Sequence, residues 1–404
     1  MRRPVLPKLF LALAAFVSTS SGQTKLGIDV LEADDFAMLD GQRVGLVGHA
    51  ASRSGDLRHT ADVLRAGGVD LVALYGPEHG VFGDIYAGDK VDDFTDRRTG
   101  LPIYSLYGAT RKPTLEMLAG IDVMVYDLQD IGSRSYTYIS TLEAVIDGMA
   151  EADKPLVVLD RPNPLGGNRI EGGGVNPEQE SFVSAIDIPY VHGMTTGELA
   201  LLIQQRNAPD WDGLTVVAME GWTRDTMWRD TGLKWVPTSP HIPHASSCWG
   251  YAATGIVGEL MQISNGVGYT LPFEIVGDPD FDAEVMAETL NAQIGTDGLV
   301  FVPVHFRPYY ATHKGETCRG VQLVVDPTTQ ANLYEINFRV LAFADAAAVL
   351  SAAESRHGMF DKVTGSTAMR EVLMTGGDLE ARLADEREHA ETFRTEREPF
   401  LLYE

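Results

Sequence analysis

The sequence predicts an α/β protein built on a parallel, doubly wound sheet. Three observations carry this reading. Short apolar, β-branched runs alternate with helical stretches from Arg43 to Asp160, the spacing of strand–helix–strand units. The interiors of those runs are apolar throughout, as for strands covered on both faces. Several runs stop at turn residues and are followed at once by polar chemistry, as in LVALYGPEHG (71–80). Ligands of open α/β sheets bind at that carboxyl edge of the strands.

In order, Arg43 to His49 (RVGLVGH) reads as a glycine-punctuated strand, and Ser54 to Ala66 has helical periodicity. Leu71 to Gly76 is the next strand, closed by Gly76-Pro77 and followed by Glu78, His79 and Gly80. Pro102 to Tyr107 is a short strand, and Lys112 to Leu118 is helical with Pro113 near its start, where proline is tolerated. Ile121 to Asp127 (IDVMVYD) is strongly β-type and leads through Leu128–Arg134 into an amphipathic helix ending near Ala152. Pro155 to Asp160 is a strand, followed by Arg161-Pro162-Asn163-Pro164. Gly172-Gly173-Gly174 reads as a flexible turn. Thr195 and Glu198 form a capping box opening a helix, and Thr215 to Ala218 is a further strand. A proline-rich loop from Pro237 to Pro243 places a domain boundary there. Beyond it lie strands at Leu299–Phe306 and Gly320–Asp326, then helix from Asn332 to about Ser351 and again beyond Gly365. The expected organisation is a leader over 1–23, an N-terminal domain over 24–236 and a C-terminal domain over 237–404.

The leader has a basic start (Arg2, Arg3, Lys8), an apolar run from Leu9 to Val17 and a small-residue stretch from Ser18 to Gly22. This is the layout of a secretory signal peptide, so the protein is expected to be exported, periplasmic or secreted. No cysteine stands near the cleavage region to carry a lipid, so no membrane anchor is expected. The formal charge of −25 repels nucleic-acid phosphates and anionic membranes; an anionic substrate would need a local basic patch. Cys248 and Cys318 are the two cysteines. Export permits a disulfide between them, but spacing leaves the pairing open.

Several polar residues stand where chemistry is plausible. Glu78, directly after Gly-Pro at a strand end, is poorly explained by core packing and is the sharpest signal. Glu171 is the second carboxylate; read by itself it suits a solvated turn better than a catalytic role. Paired carboxylates suit glycoside hydrolysis, one as proton donor and the other as base, nucleophile or stabiliser. Asp127, Asp130 and Arg134 share one strand-end loop, and Asp160 and Arg161 another; structural ion pairing is the alternative for all five. Tyr136 and Tyr138 suit stacking on sugars or packing in the core. His241 and His244 flank Pro243, and His49, His79, His192, His305 and His313 are scattered, without HExxH or similar ligand spacing, so no metal is expected. No GxGxxG follows the first strand and no GxSxG occurs, so neither a dinucleotide cofactor nor an esterase elbow is indicated.

Long motifs in the chain resemble the NamZ-type exo-β-N-acetylmuramidases, a family long catalogued as a domain of unknown function. They are GPEHGVFGD, AGDKVDDFTDRRTGLPIYSLYG, KPTLEMLAGIDVMVYDLQDIGSRSYTYIS, VLDRPNPLGG with EGGGV, VHGMTTGELA, TGLKWVPTSPHIP, GYTLPFE, GVQLVV and the terminal LLYE. The resemblance spans nearly the whole mature chain. It implies a Rossmann-like N-terminal domain, a smaller α/β (α+β) C-terminal domain and an active-site cleft between them. It also implies release of terminal N-acetylmuramic acid (MurNAc) from peptidoglycan fragments, with no cofactor, by a monomer or homodimer. On this footing Glu78 is the expected general acid/base, kept protonated by burial or a neighbouring carboxylate, with Glu171 close to it. His49, His79, Asp127, Arg134, Tyr136, Arg161, Asn163, His241, Asn265 and Tyr269 are the expected substrate-binding residues. Arg134 or Arg161 would anchor the lactyl carboxylate of MurNAc by bidentate pairing. The chain departs from its relatives twice. Ser264-Asn265-Gly266-Val267-Gly268-Tyr269-Thr270 stands where many read Ser-Glu-Gly-Arg-Gly-Thr, and Gly48-His49 where Thr-Asn is common. These departures bear on the substrate, leaving a different glycan, or a non-catalytic glycan-binding protein, as the alternatives.

Overall fold

The computed structural model describes residues 23–404; the expected leader otherwise lies outside the described residues. The first half is a seven-stranded sheet. Its strands are β1 (Arg43–Gly48), β2 (Asp70–Gly76), β3 (Phe94–Thr95), β4 (Pro102–Ser105), β5 (Val123–Asp127), β6 (Leu156–Leu159) and β7 (Leu214–Val217). Their order is β3-β4-β2-β1-β5-β6-β7, parallel except for the short edge strand β3. Successive connections run outward from β1 in one direction and from β5 in the other. The sheet therefore reverses its winding between β1 and β5, the place where such sheets open a crevice at their carboxyl edge.

Side chains alternate across this sheet as a pleat requires. Val123 and Val125 of β5 pack with Leu46 and Leu74 against α1 (Gly27–Ala33) and α2 (Thr60–Ala66). Met124 and Tyr126 face the other layer, α4 (Tyr138–Glu151) and α5 (Thr196–Asn207), through Leu142, Ile146, Leu199 and Ile203. A single helical turn, α3 (Leu115–Leu118), precedes β5. Helix α2 starts at Thr60, later than its periodicity suggests. The residues before it form a turn whose Gly55 amide donates to Asp29. The Thr195–Glu198 capping box at the start of α5 is present.

The second half adds α6 (Ser246–Glu259), β8 (Ile275–Asp278), α7 (Ala283–Ile294), β9 (Leu299–Phe306), β10 (Cys318–Val325) and α8 (Leu333–Phe343). Then come α9 (Ala346–Ala352), α10 (His357–Thr364), α11 (Ala368–Thr375) and α12 (Leu379–Glu396). The strands form an antiparallel sheet ordered β8-β10-β9. The expected long helix over 332–351 is broken at Asp345, whose φ is 58° and whose side chain caps α9. Cys248 and Cys318 are both buried and both free. No helix among the described residues is long and apolar enough to cross a membrane.

The glycine triplet is not a flexible turn. Gly172 has φ +84°, and a Cβ there would lie 2.9 Å from the Tyr190 Cβ and 3.0 Å from the Tyr334 ring. A β-carbon on Gly173 would strike the Glu386 carboxylate. The backbone is threaded between the two halves of the protein where only glycine fits. Gly172→Ala should therefore cost roughly 2–4 kcal/mol, combining left-handed strain with overpacking. Gly41→Ala, at φ +69° with nothing within 4 Å, should cost only about 1 kcal/mol. Urea unfolding of both variants checks the difference.

Candidate active site

The carboxyl ends of β1, β2, β5 and β6 converge at the switch point. Asp127, the last residue of β5, is fully buried and receives Arg161 from beyond β6 in a bidentate pair, Nε to Oδ1 at 2.5 Å and Nη2 to Oδ2 at 2.8 Å. Thr60, opening α2, donates to the same carboxylate at 2.5 Å. Arg161 also donates to the Arg53 carbonyl. Ser52 links the loop after β1 to the rim, donating to the Asp127 carbonyl and accepting from the His49 amide. His49 is fully buried, and its Nε2 accepts the Gln129 amide proton at 3.1 Å. The ring hydrogen therefore sits on Nδ1, near the Thr238 carbonyl but short of hydrogen-bond geometry. Burial, then the Arg161 charge, push the His49 pKa well below the usual value, so the imidazole is neutral. Its ring meets Tyr138 edge-on.

Glu78 lies next to this knot, in the loop after β2. It is 7% exposed. Oε1 accepts the Gly88 amide at 2.8 Å, and Oε2 accepts the Thr137 hydroxyl at 2.6 Å. Thr137 is the residue before α4, so the helix start delivers that hydroxyl. Tyr138 adds a hydroxyl bonded to the Thr238 carbonyl at 2.7 Å, and Tyr136 donates to Thr238 Oγ1 at 2.8 Å. His79 stands at φ +70°, with Nδ1 2.8 Å from the Ile85 carbonyl. A carbonyl can only accept, so Nδ1 carries a hydrogen. His241 approaches from the other side, with Nε2 2.7 Å from the Tyr310 hydroxyl; burial lowers its pKa, and the His79 charge adds to that. Tyr107 lies against Glu78: burial first, then the Glu78 charge, push its phenol up to about 12.

Other expected site residues are taken up by the scaffold. Glu171 does not meet Glu78 in any contact among the described residues. Its carboxylate pairs with Arg169 and accepts the Tyr334 amide, so it joins the two halves; burial raises its pKa against the pull of Arg169. Arg134 is 1% exposed. It donates to the Gly173, Ile188 and Val363 carbonyls and to Ser184 Oγ, leaving no fork for a ligand carboxylate. Arg161 is likewise turned inward to Asp127. Asn163 holds its own loop, donating to the Met194 carbonyl and accepting the Leu165 amide. Asn265 does the same with the Thr254 carbonyl and the Val267 amide. Tyr269 stacks on Tyr309, centroids 5.9 Å apart, beside Phe306.

Residues not singled out in the sequence also reach this cleft. Thr137, Gly88 and Tyr107 touch or adjoin Glu78, and all lie inside motifs quoted above. Glu259 ends α6 and pairs with Arg356 at 2.9 Å. Burial raises its pKa, Arg356 opposes, and the Glu78 charge raises it further. Asp130 accepts the Gly132 amide through Oδ2 while its buried Oδ1 has no partner among the described residues. Among the described residues no group of three or more His, Cys, Asp or Glu side chains could hold a metal.

Two outcomes test the rim. Arg161→Met leaves Asp127 charged and buried, and should cost about 3–5 kcal/mol; the double replacement Asp127→Leu/Arg161→Met should cost less than the single one. Asp160, fully buried after β6, accepts from the Gly197 amide, Thr195 and Tyr403. Burial pushes its pKa up to about 6 from the ordinary 3.8. The folded chain then holds a proton that the unfolded chain has lost, so this residue's contribution to stability falls as pH rises between those values. The unfolding free energy of the parent minus that of Asp160→Asn should decline across that window and level off above it, in urea titrations at stepped pH.

Comparison with known proteins agrees with this architecture. The N-terminal region of exo-β-N-acetylmuramidase NamZ matches residues 44–246, and its C-terminal region matches residues 249–403. The peptidoglycan β-N-acetylmuramidase NamZ of Bacillus subtilis (strain 168) is 39% identical over 387 residues, covering 94% of this chain and 92% of that protein. A crystal structure of a DUF1343 family protein from Bacteroides fragilis NCTC 9343 superposes with a TM-score of 0.88 at 43% identity, covering 95% of this chain and 99% of that one. A second DUF1343 structure from the same organism gives 0.74 at 25% identity, with the same coverage. The chain belongs to the NamZ exo-β-N-acetylmuramidase family and is a glycoside hydrolase of that family.

Proposed function

We propose that the protein releases terminal β-linked MurNAc from peptidoglycan fragments outside the cytoplasm, with Glu78 as general acid/base. The observation that carries the role of Glu78 is its setting. It is a nearly buried carboxylate at the carboxyl edge of the parallel sheet, with one amide and one hydroxyl as its hydrogen-bond partners. The amide of Gly88 can only donate, so it favours Oε1 as an unprotonated acceptor. The Thr137 hydroxyl can rotate, donating to a carboxylate or accepting from an acid. Oε2 is therefore the oxygen that carries the proton passed to the glycosidic oxygen, and the same hydroxyl stabilises the anion left behind. The substrate class is that named for the Bacillus relative, and the exo mode is that of the family name. Export rests on the basic, apolar and small segments of the leader.

Glu78→Gln keeps the shape and the Thr137 contact but removes the proton. Turnover of a MurNAc–GlcNAc disaccharide should fall by about 10²–10⁴, while an aryl β-MurNAc glycoside, whose leaving group needs little protonation, should lose far less. MurNAc binding should hardly change. Equal loss on both substrates would refute the acid role. A folded parent that binds MurNAc and cleaves neither substrate would instead mark a glycan-binding protein.

A further inference from the structure

A substrate bearing a lactyl carboxylate needs a cation in this cleft, and neither buried arginine expected for that task is available. Arg111 is the available one. It follows β4 by six residues, is exposed, and makes no ion pair or hydrogen bond among the described residues. Its guanidinium is nonetheless held in place. Cζ stands 4.6 Å from the Tyr107 ring centroid and 4.0 Å from that of Phe182, and those two rings lie 5.7 Å apart. A guanidinium stacked on aromatic faces loses conformational freedom while the N–H groups along its edge stay open to a carboxylate fork. Tyr107, one of the two rings, is also the side chain lying against Glu78. The cation is therefore about one aromatic ring away from the proposed acid.

We propose that Arg111, clamped by Tyr107 and Phe182, receives the lactyl carboxylate of MurNAc and so sets the preference for MurNAc over N-acetylglucosamine (GlcNAc). This rests on the reading of the substrate given above. The carboxylate is the chemical difference the site reads: GlcNAc lacks the lactyl ether, and a lactyl methyl ester keeps its bulk but not its charge. In a chain of net charge −25, an unpaired arginine beside the cleft also offsets the general repulsion of an anionic sugar.

The test compares aryl β-MurNAc, its lactyl methyl ester and aryl β-GlcNAc on the parent, Arg111→Met, Arg111→Lys and Phe182→Ala. Direct calorimetric binding of free MurNAc accompanies the kinetics. For the parent, the ester should show a higher KM than the free acid. Arg111→Met should raise KM for the free acid roughly 10- to 100-fold, the range of a charge-assisted hydrogen-bond pair. It should leave the ester unchanged, so that the two converge, with kcat and Tm close to the parent's. Arg111→Lys should recover part of the difference, and Phe182→Ala should lose part of it. If the parent prefers the acid and Arg111→Met keeps that preference, the Arg111 assignment is wrong while the muramidase reading stands. If the parent neither cleaves nor binds MurNAc, both fall.

Discussion

The carboxyl edge of the sheet is held by one buried ion pair. Asp127 and Arg161 come from neighbouring strands, and each spends its remaining capacity on a different loop: Asp127 on Thr60 at the start of α2, Arg161 on the Arg53 carbonyl. An unpaired carboxylate at such depth would cost several kcal/mol, so the loops after β1, β5 and β6 are fixed relative to one another. His49 wedges between the Gln129 amide and the Tyr138 ring. Tyr138 in turn begins the helix whose preceding residue, Thr137, meets Glu78. Glu78 is thus positioned by a chain of contacts that starts at the ion pair, and rigidity there fixes where its carboxylate stands.

The same economy explains where the arginines went. A strongly acidic protein has arginine to spare only where its charge can be exploited, and several here are used as hydrogen-bond hubs. Arg134 gathers three main-chain carbonyls and Arg397 gathers those of Gly167, His192 and Gly193. Arg224 binds Glu198 and two further carbonyls. They satisfy carbonyls of loops that carry no ladder of their own, and Arg134 also takes the Val363 carbonyl in the last turn of α10. The terminal LLYE belongs to this system: Tyr403 donates to Asp160, and the Leu402 amide to Glu198. The last residues of the chain therefore lock the far edge of the first sheet.

Much of this was legible in the sequence. Runs such as VMVYD and LVVL are apolar because both faces are covered, and Glu78 stood out because Gly-Pro ends its strand abruptly. Helix α6 was not legible. Its sequence, SSCWGYAATGIVGE, is rich in residues of poor helix propensity. The structure supplies the reason: Gly250 packs on the backbone at Phe273 and Glu274, and Gly258 on Asn265. Close approach overrides propensity there. The misplaced expectations share another cause. Charged residues at strand ends look alike whether they face ligand or carbonyls, and the partners of Arg134 lie 39 to 229 residues away. No local pattern encodes that. Arg111 escaped notice for the opposite reason, since its partners are aromatic faces and its charge is matched by no neighbour.

The two departures from the relatives can be weighed on the same terms. Asn265 directs its amide nitrogen to the Thr254 carbonyl and its oxygen to the Val267 amide. It sits in a loop whose Gly266 and Gly268 have φ of +81° and +93°. Side chains at those glycines would strike the Leu271 and Tyr310 carbonyls, so the loop is a fixed turn held by its own asparagine. His49 is neutral, enclosed, and engaged by the Gln129 amide. Both substitutions therefore alter how the frame is held before they alter what touches a sugar. Discrimination among amino sugars must then come from groups with free valence at the cleft. On this surface those are the imidazole edge of His79 and the stacked cation beside Tyr107.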